Sequence, residues 1–139
     1  MSAYLVVIAL AWAVAQGAKF IRAAVANKGS ASLRLLYTSG NMPSSHSAIV
    51  VAMLTIIGLK DGIESGLFGL AVLLAVIVMY DAVMVRRSSG EQGEALQALI
   101  KEQKSAVRQP RAARGHQPAE VAVGALIGLL TGLLVYFIL

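Results

Sequence analysis

Apolar residues form four long runs along the chain, and polar segments separate them. The runs are Ala3–Ala18, which can continue as a helix to Ala26, then Ser47–Leu59, Gly66–Val85 and Val121–Leu139. A helix needs about 20 predominantly apolar residues to cross the hydrocarbon core of a bilayer. The first, third and fourth runs qualify as membrane spans. The second run is short, so it either crosses with polar residues at both interfaces or is re-entrant.

A fifth segment, Glu91–Arg108, has a different pattern. Its apolar residues, among them Leu96, Leu99 and Ile100, fall near one face of a helix and its charges fall elsewhere, which is typical of an amphipathic helix on a membrane surface. We therefore predict an all-α integral membrane protein: a bundle of about four transmembrane helices, with an amphipathic interfacial helix between the third and the fourth. The length suits a single membrane-embedded domain, residues 1–139.

The composition agrees with a membrane protein and excludes several kinds of site. Hydrophobic residues make up 58% of the chain and charged residues 14%, whereas soluble domains have about 45–50% apolar and about 25% charged residues. The chain has no cysteine, so it can form no disulfide, thiolate metal site or cysteine nucleophile. Its net charge of +5 does not indicate a nucleic-acid partner, because the basic residues lie between the apolar runs and only 6% of residues are aromatic.

The basic residues lie mostly on one side of the predicted bundle. Four separate the first two runs and seven separate the last two, whereas Lys60 is the one basic residue between the second and third runs. The positive-inside rule places the side rich in Lys and Arg in the cytoplasm. We therefore expect a multi-pass protein of the cell membrane with both termini outside.

The two histidines of the chain occupy similar positions. His46 lies at the start of the second run and His116 lies just before the fourth. Ser44 or Ser45 is a suitable N-cap for the second helix, and Pro118 suits the first turn of the fourth. Each histidine is therefore expected near a helix N-terminus, where unpaired N–H groups and the positive end of the helix dipole attract anions.

Alternating spans bring several polar residues to one membrane face. These are Lys19 at the end of the first span, His46 at the start of the second, Arg86 and Arg87 at the end of the third, and His116 at the start of the fourth. Cations and N–H groups can hold the oxygens of a phosphate, while histidines supply covalent or acid–base chemistry. The pattern therefore predicts a phosphate site on the side that we expect to be cytoplasmic.

Two carboxylates lie close to these residues. Glu120 follows His116 by four residues, so it lies on the same helical face and can hold the imidazole in one tautomer. Asp81 lies in the third apolar run, where an acid is costly and often functional. A structural salt bridge to Arg or Lys that positions the basic cluster is the favoured alternative for Asp81.

Other features bear on metals and on assembly. With two histidines and no cysteine, a three-ligand zinc site would need Asp81 or Glu120 as a ligand, so we predict no metal and no cofactor. A stripe of small residues in the fourth run indicates close helix packing, with a dimer as one setting. Because four spans offer little bundle to enclose a site, a homodimer is favoured. The stripe consists of Gly124, Gly128 and Gly132.

Four motifs together resemble a known superfamily. They are Pro43-Ser44-Ser45-His46-Ser47, then Tyr80-Asp81-Ala82, then Val85-Arg86-Arg87 with Gly90 and Gln92, and finally Gly115-His116 through Glu120-Val121. Over roughly residues 16–128, the chain resembles the divergent branch of the type 2 phosphatidic acid phosphatase and vanadium-dependent haloperoxidase superfamily. The resemblance implies that His116 is the nucleophile that becomes phosphohistidine, that Glu120 orients it, and that His46 is the general acid. The phosphate-binding residues that it implies are Lys19, Ser44, Ser45 and Arg87 or Arg86.

The chain also departs from the superfamily pattern. Lys19 lacks an arginine-proline pair at the usual spacing, and Ser45 stands where the superfamily has glycine. Between Arg87 and His116 there are 28 residues instead of a handful, and Glu120 replaces an aspartate. The superfamily core has six helices, whereas this chain has four clear apolar runs.

These observations favour a metal-independent membrane phosphatase. It would hydrolyse a lipid phosphate monoester, of the phosphatidic acid, phosphatidylglycerophosphate or polyprenyl phosphate type, through a phosphohistidine, with membrane lipids as its surroundings. The alternative is a non-catalytic membrane module that retains the phosphate-binding site. A vanadate-dependent haloperoxidase is a third and less favoured interpretation, because the chain is short and embedded in the membrane.

Overall fold

The computed structural model describes residues 2–26, 42–110, 112 and 115–139. The described part is helical and contains no strand. Its elements are α1 (Ala3–Ala26), α2 (Ser45–Lys60), α3 (Gly66–Tyr80), a π-helical turn (Asp81–Val85), α4 (Arg86–Glu102) and α5 (Pro118–Ile138). The all-α fold predicted from the apolar runs is confirmed.

Within the residues that the structure describes, three helical stretches are long and apolar enough to cross a membrane. They are Ala3–Ala26 with 24 residues, Gly66–Glu102 with 37 and Pro118–Ile138 with 21. The fourth apolar helix, α2, has 16 residues and is therefore about 24 Å long at about 1.5 Å per residue. It is shorter than the hydrocarbon core of a bilayer, which is about 30 Å thick.

The short helix α2 is the centre of the bundle, because it packs against α1, α3 and α5. Val7 and Ala11 of α1 meet Ala52 and Ile56 of α2 and Val135 of α5 in the buried core. The helix α3 makes its bundle contacts with α2, and most of its apolar side chains stay exposed. In a single copy of the chain embedded in a membrane, this surface of α3 would face lipid.

The glycine stripe of α5 allows α5 to approach α2 closely. A Cβ atom added at Gly128 would meet the carbonyl oxygen of Ala48 and would lie 2.9 Å from the nitrogen of Ala52. At Gly132 it would lie 2.6 Å from Cβ of Thr55. The close packing that the stripe predicts is therefore present, and its partner is a helix of the same chain.

The third apolar run and the amphipathic segment form one continuous helical stretch. The 37 residues of Gly66–Glu102 extend over about 55 Å, so the polar half, α4, reaches beyond the hydrocarbon core. The amphipathic helix that we predicted at residues 91–108 is present, but it begins at Arg86 and ends at Glu102. It continues α3 through the π-helical turn and is not a separate helix.

The polar residues of the predicted site lie at one end of the bundle. At the other end, the Tyr4 hydroxyl donates a hydrogen bond of 2.6 Å to Oδ2 of Asp61 and so joins the start of α1 to the turn between α2 and α3. The basic residues Lys28, Arg34, Arg111 and Arg114 lie outside the described residues. The cytoplasmic location of the polar end stays a prediction.

Candidate functional site

His116 is held by a carboxylate that also stabilises the start of α5. The imidazole is buried, and its Nδ1 lies 2.9 Å from Oε2 of Glu120. The same Oε2 accepts a hydrogen bond of 3.2 Å from the N–H of Gln117. Glu120 is the third residue of α5, the position from which a glutamate side chain reaches back to the N-cap. Because Nδ1 faces Glu120, Nε2 is the ring nitrogen that is left for chemistry.

The main chain around His116 is fixed to the π-helical turn. The N–H of His116 donates a hydrogen bond of 3.1 Å to the carbonyl oxygen of Ala82. Gly115 lies so close to the backbone of Arg87 that no Cβ would fit there. In the π-helical turn the N–H of Arg86 bonds to the carbonyl of Asp81, five residues earlier, and such turns are frequent at functional sites.

Ser44 joins the starts of α2 and α5. It is the N-cap of α2, as one of the two predicted alternatives, and its Oγ accepts hydrogen bonds from the N–H of Ser47 at 3.4 Å and from the Ser47 hydroxyl at 2.9 Å. The N–H of Ser44 donates to the carbonyl oxygen of Glu120 at 3.0 Å. Ser45 follows as the first residue of α2 and is buried. The Ser44 hydroxyl therefore serves the cap, and the two helix N-termini lie side by side.

A cavity of about 270 Å³ contains both histidines. Its polar wall consists of His46, His116, Asp81 and Arg86, and its apolar wall consists of Ile77, Val78 and Ala82. Arg86 donates from Nε to Oδ2 of Asp81 at 2.6 Å. This contact is a salt bridge to a basic residue, the structural role that was the favoured alternative for Asp81. Two imidazoles and a paired guanidinium thus share one small space that is apolar on one side.

The two arginines of the cluster point to different spaces. Arg87 lines a second cavity of about 560 Å³ together with Glu91, Glu94, Gln117 and His116. Its Nε donates to Oε1 of Glu91 at 3.1 Å, and both side chains are well exposed. Arg86 therefore lies with both histidines, while Arg87 shares only His116 with that group. His116 contributes to both cavities.

The comparisons with known proteins give the family. The sequence profile described as "Divergent PAP2 family" matches residues 1–131. The chain belongs to the divergent PAP2 family. It is also 41% identical over 119 residues to YuiD of Bacillus subtilis (strain 168), named as an uncharacterized membrane protein, and the match covers 74% of this chain and 75% of YuiD. No solved structure matches the chain.

The geometry accounts for two departures of this divergent PAP2 protein from the superfamily pattern. The 28 residues between Arg87 and His116 leave no gap in space, because Gly115 contacts the backbone of Arg87. Glutamate replaces aspartate at position 120, and the longer side chain reaches both His116 and the N–H of Gln117. The described contacts identify no arginine that takes the place of the arginine-proline pair missing after Lys19.

Lys19 completes the polar end of this PAP2 protein. It lies in the last third of α1, is 7% exposed, and its ammonium interacts electrostatically with Glu120. The charges of Lys19 and Arg86 also act on His46, so the three groups are electrostatically coupled. Gln16 is buried three residues before Lys19 and shares its helical face.

The described residues offer no evident metal centre. Among residues 2–26, 42–110, 112 and 115–139, no group of three or more His, Asp or Glu side chains could hold a metal ion. The chemistry that the site can perform with its own side chains is anion binding, proton transfer and nucleophilic attack by an imidazole.

Proposed function

We propose that this protein is a membrane phosphatase that hydrolyses a lipid phosphate monoester through a phosphohistidine at His116. One observation above all supports the proposal. A buried imidazole whose Nδ1 is held 2.9 Å from Glu120 lies in one cavity with a second imidazole, His46, and a guanidinium, Arg86. Such an arrangement combines an oriented nucleophile, a proton donor and a cation for the phosphate oxygens.

The reaction takes place in two displacements. In the first, Nε2 of His116 attacks phosphorus, the bond between phosphorus and the lipid oxygen breaks, and His46 gives its proton to the departing oxygen. In the second, water attacks phosphorus, the bond from phosphorus to Nε2 breaks, and His46 takes a proton from the water. Inorganic phosphate leaves and both imidazoles return to their first state. Glu120 stabilises the positive charge that the His116 ring gains in the first displacement and loses in the second.

The surroundings of the cavity support a lipid substrate. Ile77 and Val78 of α3 form its apolar wall, and α3 exposes further apolar side chains along its length. A phosphate at Arg86 would therefore have hydrocarbon beside it. Phosphatidic acid, phosphatidylglycerophosphate and polyprenyl phosphate have the required combination of a phosphate monoester and a long apolar group.

The test is phosphate release by the purified protein from vesicles that contain each of these lipids. His116→Ala should abolish turnover and the acid-labile phosphoenzyme, because the nucleophile is lost. His46→Ala should slow release from lipids by about 100- to 10,000-fold, the usual contribution of general acid catalysis. It should slow p-nitrophenyl phosphate less, since that leaving group needs little protonation.

The matched control is Ser89→Ala, an exposed position of α4 that lines neither cavity beside His116. Its activity should equal that of the unchanged protein. Near-normal turnover of every lipid phosphate by His116→Ala would contradict the assignment of the nucleophile.

A second candidate function is binding of a lipid phosphate without hydrolysis. It is favoured by two departures from the superfamily pattern, because Lys19 lacks the arginine-proline pair at the usual spacing and Ser45 stands where the superfamily has glycine. If the unchanged protein releases no phosphate but binds vesicles rich in phosphatidic acid, and Lys19→Ala weakens that binding, the second candidate is correct.

A further inference from the structure

After α4 ends, the chain returns along the same helix towards the site. We call residues 103–110, 112 and 115–117 the return segment. Nε2 of Gln97 donates a hydrogen bond of 2.6 Å to the carbonyl oxygen of Pro110. A Cβ added at Gly93 would lie 3.0 Å from Cβ of Ala112. Pro110 contacts Gln97 and the later residue Ala112 contacts the earlier residue Gly93. The return segment therefore runs antiparallel to α4.

The contacts follow one face of α4. Arg86, Gly90, Gly93 and Gln97 are separated by four, three and four residues, which places them on one side of a helix. Gly90 is buried on this face, and the backbone near Arg86 meets Gly115. Gly93 leaves a shallow groove in α4 that admits the backbone of Ala112.

One contact differs from the rest in its chemistry. In this groove, Gly93 and Ala112 meet through van der Waals contact, which changes little if the segment slides. The bond from Gln97 to Pro110 joins a single donor to a single acceptor, and a slide by one residue breaks it. Residues 103–105 bond to the last turn of α4 through their N–H groups. Among the described contacts between α4 and residues 106–112, the bond from Gln97 is therefore the one that sets the register of the return segment.

We propose that Gln97 is a positioning residue for His116. It acts through the backbone of the return segment. Gln97 lies about 22 Å along the helical stretch from Ala82, and the carbonyl oxygen of Ala82 accepts the hydrogen bond from the N–H of His116. Without the bond from Gln97, the return segment loses its register and the hydrogen bond from His116 to Ala82 opens more often. The catalytic part of this inference rests on the proposed phosphatase function, whereas the structural part does not.

The experiment combines hydrogen–deuterium exchange with kinetics on four variants of the full-length protein. Gln97→Ala and Gln97→Glu remove the donor, the second with nearly unchanged shape, and Gln97→Lys keeps a donor. Gln109→Ala is the matched control, because Gln109 is an exposed glutamine of the return segment and its side chain takes no part in the bond from Gln97 to Pro110.

We expect the first two variants to accelerate exchange of the His116 amide, while amides of α2 and α5 keep their protection. On a lipid phosphate the same two variants should lower kcat by about 10- to 100-fold with little change in KM, because a small misplacement of a reacting group has effects of this order. Gln97→Lys and Gln109→Ala should behave like the unchanged protein in both measurements.

Three results separate the possibilities. Unchanged exchange at His116 in Gln97→Ala and Gln97→Glu overturns the inference, whatever the activity. Faster exchange throughout α2 and α5 also overturns it, because Gln97 would then stabilise the whole fold. Faster exchange confined to His116, in a protein that hydrolyses no phosphate, supports the positioning role and refutes the proposed phosphatase.

Discussion

The close approach of α5 to α2 can be tested at a single glycine. Gly128→Ala adds one methyl group at a point where the carbonyl oxygen of Ala48 already lies too near for a Cβ atom. The new atom would also lie 2.9 Å from the nitrogen of Ala52 and 3.0 Å from Cβ of Val51. Two of these neighbours are backbone atoms of α2, which cannot rotate away as a side chain can. The helices must therefore separate.

The expected magnitude follows from a comparison with Gly69→Ala in α3, where an added Cβ would meet nothing within 4 Å. Replacing glycine by alanine in a helix stabilises it by about 0.5–1 kcal/mol, and this gain is the same for both variants. The difference between them therefore isolates the packing conflict. Overpacking in a tight interior costs about 1–3 kcal/mol, so Gly128→Ala should have a free energy of unfolding lower than that of Gly69→Ala by this amount.

The assay is equilibrium unfolding in mixed micelles with increasing denaturing detergent, followed by the fluorescence of Trp12, the single tryptophan. Gly128→Ala should unfold at lower detergent than the unchanged protein, and Gly69→Ala should unfold at equal or higher detergent. Equal stability of the two alanine variants would refute the reasoning, because it would mean that α5 does not depend on close contact with α2 at this point.

Two further predictions concern the site and its orientation in the membrane. Glu120→Gln keeps a side-chain oxygen that can accept hydrogen bonds from Gln117 and His116, but it removes the negative charge. We therefore expect nearly unchanged thermal stability and at least about 100-fold slower turnover of a lipid phosphate. Equal loss of stability and activity would assign Glu120 a structural role alone. The chain has no cysteine, so a single introduced cysteine is the one thiol that a reagent can label. A membrane-impermeant thiol reagent added outside should label Glu64→Cys and not Ser89→Cys. The reverse labelling pattern would show that the topology is inverted.

The spans and helix ends could be predicted from the sequence because they depend on local chemistry. Apolar runs of sufficient length become helices wherever backbone groups must bond internally, and Ser44 caps α2 because a serine oxygen can accept from the N–H three residues later. The spacing of four also predicts the pair of His116 and Glu120, but the geometry differs from a shared helical face. His116 lies two residues before α5 begins, and Glu120 reaches back to it from the third helical position, as it does to the N–H of Gln117.

The partners of these elements depend on tertiary contacts that a single sequence does not contain. The glycines of α5 indicate close approach but not the surface that they meet, which is α2 of the same chain. The π-helical turn was not predicted either, although Asp81 and Arg86 are five residues apart and form a salt bridge within it. Two residues five apart are not neighbours on the face of an α-helix. They become neighbours in a π-helical turn, whose hydrogen bonds span five residues.

The antiparallel contact between α4 and the return segment restricts how the stretch between Arg87 and His116 can change in length. Along the helix, Gly93 and Gln97 are four residues apart, and their partners Ala112 and Pro110 are two residues apart. Four helical residues rise about 6 Å, a distance that two residues can cover because each spans at most about 3.3–3.6 Å. An insertion that leaves His116 in place therefore adds about four residues to the helix and about two to the segment that returns. We therefore expect tolerated changes of length in this stretch to come in steps of about six residues, set by the different rise per residue of the helix and of the segment that returns.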